Sequence, residues 1–519
     1  MLLLCVCAVS CTQGISVTGP SEIPEYGRGD FLVETVSAPG NPYLQEEACL
    51  DMLLTAPSGK ELLLPAFWNG NGSWEARFTP QEAGRYTYRF VYRTDGGKEV
   101  RSKAKSFVST PSNAHGILHT DGFWVLRYDD GTPFRGVGEN ICWESRESDD
   151  SKFFKDLHEQ HDRFNYEVML PDFTSNGGNF TRMWMCSWNF PIDRKDHFNN
   201  TRYTPSDEFY NPSAVKHLDD VLALSESLDL KIMLCMGQGD VRADRNFFSS
   251  PDDKTRFKNR LRYIVARWGY SPSVGMWEFF NEIDNIQHRN RHGVIPAEEI
   301  VAWHAEMASY LKSIDPFGHI VTTSISHRDL KGLNDVPDMD LNQKHIYKAT
   351  SSIPGNIVSY GEKHGKPYVI GEFGYEWDWN KNFDDFAEDM DLDFKRGLWY
   401  GIFSPTPVTP MSWWWEFFQD RGLVPYFRNV RTVSDMMLEA GGGEFEQVKV
   451  EADGADAFAV RCGKSLFVYA YNPGKRPVTI SIGSEGKLRE FDFSSASFKD
   501  AAGIQPLQPR TEALYLIEQ

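Results

Sequence analysis

Paired cysteines are what this sequence lacks. Of its eight cysteines, Cys5, Cys7 and Cys11 crowd the first residues, and the other five (Cys49, Cys142, Cys186, Cys235 and Cys462) are odd in number and widely spread. That pattern excludes a disulfide framework, and with no CxxC pair it excludes the common zinc sites, so buried free thiols are expected. Missing too is any apolar run of roughly 18 residues or more, which excludes a membrane-spanning helix. Positive charge is in short supply, with 54 basic residues against 73 acidic ones and a net charge of −19. Such a surface repels phosphate backbones and anionic membranes, so nucleic acid is excluded as a partner. Aromatic rings are plentiful by contrast: 15 Trp, 21 Tyr and 35 Phe exceed what cores of this size need. Rings that stack on sugar faces are one use for the surplus, although most fill cores.

The length of 519 residues calls for two or three domains. Residues 1–14, MLLLCVCAVSCTQG, are short, apolar and end in small residues, as a signal peptide does. Export from the cytoplasm is therefore expected. Ala8 to Cys11 resembles a lipoprotein cleavage box, which would make Cys11 a lipid anchor; plain secretion is the alternative. Residues 15–112 alternate in short runs such as RYTYRFVYRTDGG, the pattern of an immunoglobulin-like β-sandwich, and AGRYTYRF has the look of its tyrosine corner. Over 115–440 apolar runs alternate with amphipathic helices such as Ala214–Leu228, Thr255–Trp268 and Ala297–Ile314, the signature of βα units. Eight candidate strands (FRGVGENICW, NFTRMWMCSW, KIMLCMG, VGMWEFFNE, IVTTSIS, LNQKHIY, PYVIGEFG and TPMSWWWEFF) predict an α/β architecture, a (β/α)₈ TIM barrel. After Gly441–Gly443 the strand pattern returns over 444–519, a second β-sandwich.

In a parallel barrel the chemistry gathers where strands end, so a carboxylate closing an apolar strand stands at the mouth. Two strands close that way, VGMWEFFNE on Glu282 and YVIGEFG on Glu372, 90 residues apart. The interval holds three βα units, which assigns the pair to strands four and seven. Two carboxylates about 5 to 5.5 Å apart across a barrel mouth suit double displacement at an anomeric carbon.

With the Asn281-Glu282 pair on strand four and Glu372 on strand seven, the chain resembles glycoside hydrolase clan A, the retaining (β/α)₈ glycosidases. The resemblance covers the central two thirds of the chain. It implies that Glu282 is the acid/base and Glu372 the nucleophile. It also implies that Arg182 bonds the nucleophile, that His345 and Tyr347 line the site, and that Trp413 or Trp415 floors the sugar subsite. The flanking β domains are similar to those on bacterial polysaccharide-utilisation enzymes. The implied activity is hydrolysis of a plant or algal oligo- or polysaccharide with net retention, without metal or organic cofactor.

The physical demands on these residues are plain. Glu372 must stay ionised, which Arg182 and the Tyr347 hydroxyl favour; Glu282 must hold a proton, which the Glu372 charge favours. Asn281 is suited to bond the sugar 2-hydroxyl. Glu139, Asn140, Asn189, Asp240 and Glu416 sit just past strand ends as candidate hydroxyl-binding residues. Trp413, Trp414 and Trp415 cannot all face inward if they lie on one strand, where side chains alternate. Glu278, inside its strand, and Asp284, beyond its end, compete with Glu282; Glu376 and Asp378 lie in the loop past Glu372. Arg182 could be an interior ion pair and His345 a satisfied core residue. A catalytically silent glycan-binding barrel and a transglycosylase are the alternatives to a hydrolase.

Overall fold

A computed structural model describes residues 14–35, 40–95, 97–144, 146, 163–237, 243–289, 293–483 and 485–518. The leader up to residue 13, including Cys11, and Asp240 lie outside the described residues. The chain divides into two compact units: Met1–Ala114 with Pro251–Ser271 and Tyr310–Phe317, and His115–Ser250 with Pro272–Ser309 and Gly318–Gln519.

In the first unit two sheets carry the strands. One runs in the order Ser16–Thr18, Gly29–Glu34, Trp74–Phe78, Phe67–Trp68; the other in the order Glu22–Pro24, Lys105–Thr110, Gly84–Thr94, Ala48–Thr55, Glu61–Pro65, with Glu99–Arg101 on the edge of Gly84–Thr94. Alternation decides what they bury: in Gly29–Glu34 every second residue is buried, as a strand with one face on a core requires. Phe31 from the first sheet meets Tyr88 and Phe107 from the second with ring centroids 5.0 and 5.9 Å apart. The Tyr86 hydroxyl accepts from the Glu82 backbone N–H at 3.1 Å, the bond by which a tyrosine corner ties a strand to the turn before it. Helix Pro251–Trp268 belongs to this unit, where Arg262 forms a buried ion pair with Asp51.

The second unit is an α/β structure organised by parallel pairing. Gly138–Asn140, Phe180–Trp184, Lys231–Gly237, Val274–Phe280 and Ile320–Thr322 are hydrogen-bonded in that order, and Ser324–Ile325, Asn342–Tyr347 and Tyr368–Gly374 follow. Parallel bridges from Phe373 and Glu139 to Ser412, and from Gly136 to Val408, lead from the last strand back to the first. Lys231–Gly237, Val274–Phe280 and Tyr368–Gly374 are buried at every residue, as parallel strands covered on both faces must be. Helix Pro212–Ser227 shows how the connections start: Asn211 caps it, accepting from the Ser213 and Ala214 N–H groups at 3.0 and 3.1 Å, and Pro212 opens it. An oxygen at the cap and a fixed φ in the first turn both favour initiation there.

A three-stranded meander, Leu118–Asp121, Val125–Tyr128 and Pro133–Phe134, precedes the first parallel strand. It contributes Leu118, Leu126, Tyr128 and Phe134 to one apolar cluster with Phe180, Met233, Met276, Ile320, Val369 and Met411. Most of the latter stand early in their strands, so this end is filled with hydrocarbon and the polar chemistry is left to the other. Nothing in the alternation pattern distinguishes this meander from the sequence around it.

The expected strand TPMSWWWEFF is corrected. Its first half is extended and only bridged, Trp414 takes a left-handed φ of 68°, and Trp415–Asp420 is a helix. Alternation therefore does not govern these tryptophans. Toward the C-terminus a six-stranded antiparallel sheet runs in the order Phe445–Val448, Asp456–Cys462, Ser465–Tyr471, Glu512–Glu518, Lys487–Asp492, Ser497–Asp500. Helices Ala387–Ile402 and Phe427–Gly441 lie on it, with Trp399 stacked on Tyr469 at 5.6 Å. Tyr426 donates to Glu512 at 2.6 Å. The five cysteines outside the leader are free and buried. Among the described residues no helix is long and apolar enough to cross a membrane.

Candidate active site

Arg182 organises the polar end of the parallel strands. Its side chain is fully buried, and all of its nitrogens are engaged. Nε and Nη2 grip Glu278 at 2.6 and 2.8 Å, Nη1 reaches Glu372 Oε1 at 2.7 Å and Asn140 Oδ1 at 3.3 Å, and Nη2 also reaches Asn281 Oδ1 at 2.8 Å. A guanidinium has five N–H donors, and five bonds use them. Glu278, legible only as an interior carboxylate, is thus the bidentate partner of the arginine, and the Gln343 amide completes it at 3.1 Å. Gln343, His345 and Tyr347 follow one another at the period of two that puts side chains on one face of a strand, a signal that could have identified Gln343.

Glu372 is almost fully buried. Besides Arg182 it accepts from the Tyr347 hydroxyl at 2.7 Å, and His345 Nδ1 lies 3.3 Å from its Oε2. The same nitrogen is 3.0 Å from Glu282 Oε1, and a carboxylate oxygen from each glutamate and a nitrogen of His345 all lie within 4.8 Å of one another. The tight approach at Glu372 depends on Gly371: a Cβ there would fall 1.7 Å from Gln343 Oε1.

Glu282 follows the end of its strand in a left-handed conformation, φ 50°. Such backbone costs of order 1–3 kcal/mol for a non-glycine residue and persists only where the surroundings fix it. They do. The Asn281 N–H donates to Gly237 O at 3.1 Å and the Glu282 N–H to Ser324 Oγ at 2.9 Å. Two residues on, the Asp284 carboxylate gathers the Ser326 hydroxyl and the N–H groups of Ser326, His327 and Arg328. Those donors fill Asp284, which removes it as a competitor for acid/base work. The Asn285 amide donates to Glu282 Oε2 at 2.6 Å.

Electrostatics in the free site run against the simple expectation. Burial pushes the Glu372 carboxyl above its ordinary range and the Glu282 charge adds to this, against His345, Arg182 and the Tyr347 hydroxyl, which favour the ionised form. Burial also raises Glu282, but the hydrogen bond and charge of His345 and the Asn285 amide outweigh it and hold this carboxyl below its ordinary range. His345 is the hinge of that difference. Its Nε2 is buried without a hydrogen-bond partner, while its Nδ1 faces both carboxylates.

The three groups could ligate a cation, but Arg182 holds a positive charge 2.7 Å from Glu372 and the Tyr347 and Asn285 donors occupy further oxygens. That donor set suits a pair of working carboxylates better than a metal.

Trp413 and Trp415 join Trp143 and Trp184 in one cluster, with ring centroids from Trp143 at 5.5, 4.8 and 5.2 Å. The Trp184 ring lies under the Arg182 guanidinium at 5.3 Å. Trp143 carried no sequence signal. Glu139 and Asn189 do not join the network. Glu139 precedes Asn140 on its strand and so faces the other way; it accepts from Ser412 Oγ at 3.2 Å, and burial holds its carboxyl well above the ordinary range. Asn189 is fully buried and spends its amide on Cys142 O, Tyr166 Oη and Trp184 O. Asn140 likewise serves the fold, donating to Gly371 O, Met411 O and Ser412 O at 3.0, 3.2 and 3.0 Å.

Comparison with known proteins adds a second line. Residues 22–93 match a domain of unknown function, DUF5060. Mannan endo-1,4-beta-mannosidase 8 of Oryza sativa subsp. japonica is 28% identical over 197 residues, covering 29% of this chain and 51% of its own. Mannan endo-1,4-beta-mannosidase A of Podospora anserina is 22% identical over 251 residues, 41% of this chain and 65% of its own. The chain thus spans about half the length of the rice relative and less than two thirds of the fungal one. A solved structure from Bacteroides vulgatus, assigned provisionally as a glycoside hydrolase, superposes with a TM-score of 0.68 at 15% identity, covering 96% of this chain and 100% of that one. The resemblance to glycoside hydrolase clan A is borne out by these matches.

Proposed function

We propose that this chain is a retaining glycoside hydrolase acting outside the cytoplasm on the β-mannosidic bonds of a plant mannan, its parallel strands forming a (β/α)₈ barrel between two β-sandwich domains. One observation carries the chemistry: oxygens of Glu282 and Glu372 face each other within 4.8 Å, close to the separation of about 5 to 5.5 Å used for double displacement. The sugar comes from the relatives, whose names specify mannan.

In this reading Glu372, ionised against Arg182 and Tyr347, attacks the anomeric carbon while Glu282 gives its proton to the departing oxygen. A glycosyl ester forms on Glu372 and the aglycone leaves as the alcohol. Glu282 then takes a proton from water, which attacks the same carbon and releases Glu372. Asn281 has its carbonyl oxygen committed to Arg182 and keeps its amide N–H groups for the sugar 2-hydroxyl. The chemistry needs one proton on the pair. In the free site that proton resides more on Glu372 than on Glu282, and protons on coupled groups belong to the pair. His345 Nδ1, within reach of both carboxylates, supports the exchange that puts it on Glu282.

The test is the stereochemistry of hydrolysis. NMR of freshly cleaved mannohexaose is expected to show the β-anomer of the new reducing end first, with the α-anomer growing in by mutarotation. First appearance of the α-anomer would exclude the covalent route, and mannohexaose bound but never cleaved would favour a silent glycan-binding barrel.

A further prediction concerns His345. Replacing it with alanine removes the hydrogen bond that lowers Glu282, so the pKa of Glu282 rises. In the free pair Glu282 is the carboxyl that titrates first, so it governs the acid limb. The acid limb of kcat/KM against pH on mannohexaose is expected to move to higher pH; an unmoved limb would mean that another group governs it.

A further inference from the structure

Nine large apolar side chains are exposed among the described residues, and three of them, Tyr375, Trp377 and Trp379, fall within five consecutive positions. They are 38%, 56% and 55% exposed. They alternate with polar residues: Glu376 between them is buried at 4% and Asp378 is half-buried. The segment directly follows the strand that carries Glu372.

Its backbone is tied down from below. Glu376 accepts from its own loop, from the Trp377 N–H at 2.9 Å and the Asp378 N–H at 3.2 Å. It pairs with Lys348 at 2.8 Å and with Lys381. Its backbone carbonyl accepts from the Trp414 indole at 2.6 Å. Burial raises the Glu376 carboxyl, but the two lysines and the two loop N–H groups outweigh this and hold it down to about 2. The Lys348 ammonium lies 5.2 Å from the Trp377 ring centroid. An exposed indole on a wandering loop would be unremarkable; two on a pinned segment that leaves the strand of Glu372 keep apolar surface in water at a standing cost.

We propose that Trp377 and Trp379 form an aromatic platform for a pyranose unit of the same glycan, beyond the unit held at Glu282 and Glu372. The inference rests on the hydrolase reading and deepens it: a platform of this kind serves a polymer cut at interior bonds. Trp377 is five residues past Glu372, so its Cα lies no more than about 18 Å away, a reach of a few sugar units. A pyranose offers a C–H face to an indole and hydroxyls at its rim to amides and carboxylates, and Asp378, Asn380 and Asn382 supply those groups here. A protein partner fits poorly, because three side chains present far less than the roughly 800 Å² per partner that a stable interface buries.

The test compares Trp377→Ala/Trp379→Ala with its parent in two settings. In a Glu372→Gln background, affinity electrophoresis through soluble β-1,4-mannan is expected to show retardation about tenfold weaker for the double variant. In the active background, kcat/KM on mannohexaose should fall by about tenfold while that on an aryl β-mannoside stays within about twofold. Parental retardation and parental mannohexaose cleavage in the double variant would overturn the platform. So would an equal fall on both substrates, since the loop would then only brace Glu372, and so would an unretarded Glu372→Gln parent. If the wild type cleaves nothing while the retardation is present and lost in the double variant, the platform stands and the hydrolase reading fails.

Discussion

Replacing Glu372 by alanine is expected to lower kcat on mannohexaose by about five orders of magnitude, with azide restoring part of the rate. Removing the nucleophile forces a single displacement by water, and losing a covalent route has effects of this size. The alanine leaves a small cavity beside Arg182 and the Tyr347 hydroxyl, groups that in the wild type attract one negative charge. Azide entering there attacks from the same face, so the product is the α-mannosyl azide. Glu282→Ala supplies the contrast. It slows substrates with poor leaving groups by roughly 10²–10⁴-fold, the usual worth of general acid catalysis, and spares good ones; azide then gives the β-mannosyl azide by attack on the glycosyl ester. Rates across aryl β-mannosides of graded leaving-group ability, with NMR of the azide products, separate the two roles. An unimpaired Glu372→Ala enzyme would end the mechanism.

The second large effect is expected from Arg182→Met. Its five hydrogen bonds compensate two buried carboxylates, Glu278 and Glu372, and removing one partner of a buried charge network costs about 3–5 kcal/mol. The melting temperature should fall clearly. Activity should fall as well, and the pH profile carries the sign. Arg182 lowers the pKa of Glu372, so without it that pKa rises; Glu372 is the carboxyl of the free pair that titrates last, so the basic limb of kcat/KM moves to higher pH. Arg182→Lys keeps a charge without the planar fork and should recover stability more than rate, because one ammonium cannot hold Glu278 and Glu372 in register. A variant with wild-type melting and an unmoved basic limb would mean that Arg182 only fills space.

How much of this was legible in the sequence depended on whether a residue's signal is local. Glu282 and Glu372 could be found because a carboxylate closing an apolar strand is visible in a window of nine residues. His345 and Tyr347 were implied by the resemblance alone, and alternation along their strand would have added Gln343. Arg182 was anticipated as the partner of Glu372, but its firmer grip on Glu278 pairs residues 96 positions apart, and no local window holds both. The Trp413–Trp415 reading failed because alternation was assumed where the backbone turns left-handed at Trp414 and enters a helix; three consecutive indoles suggested a strand, and the turn is set by packing. Glu139 was misjudged because proximity to a strand end does not say which face a side chain takes. Trp143 lies in a loop, where neither period applies, and Asn285 lies in the short helix Ile283–Arg289, too brief to show a period.

Asn140 ties these strands together in another sense. With one amide nitrogen it reaches the carbonyls of Gly371, Met411 and Ser412, where backbone bridges alone complete the circuit of parallel strands. With the oxygen of the same amide it accepts from Arg182. The joining of the first and last parallel strands and the charge balance of the carboxylates therefore share a single side chain. A substitution at position 140 would be felt in both at once, so architecture and chemistry cannot change independently at this point, and the loops around the carboxylates must be compatible with that one joint.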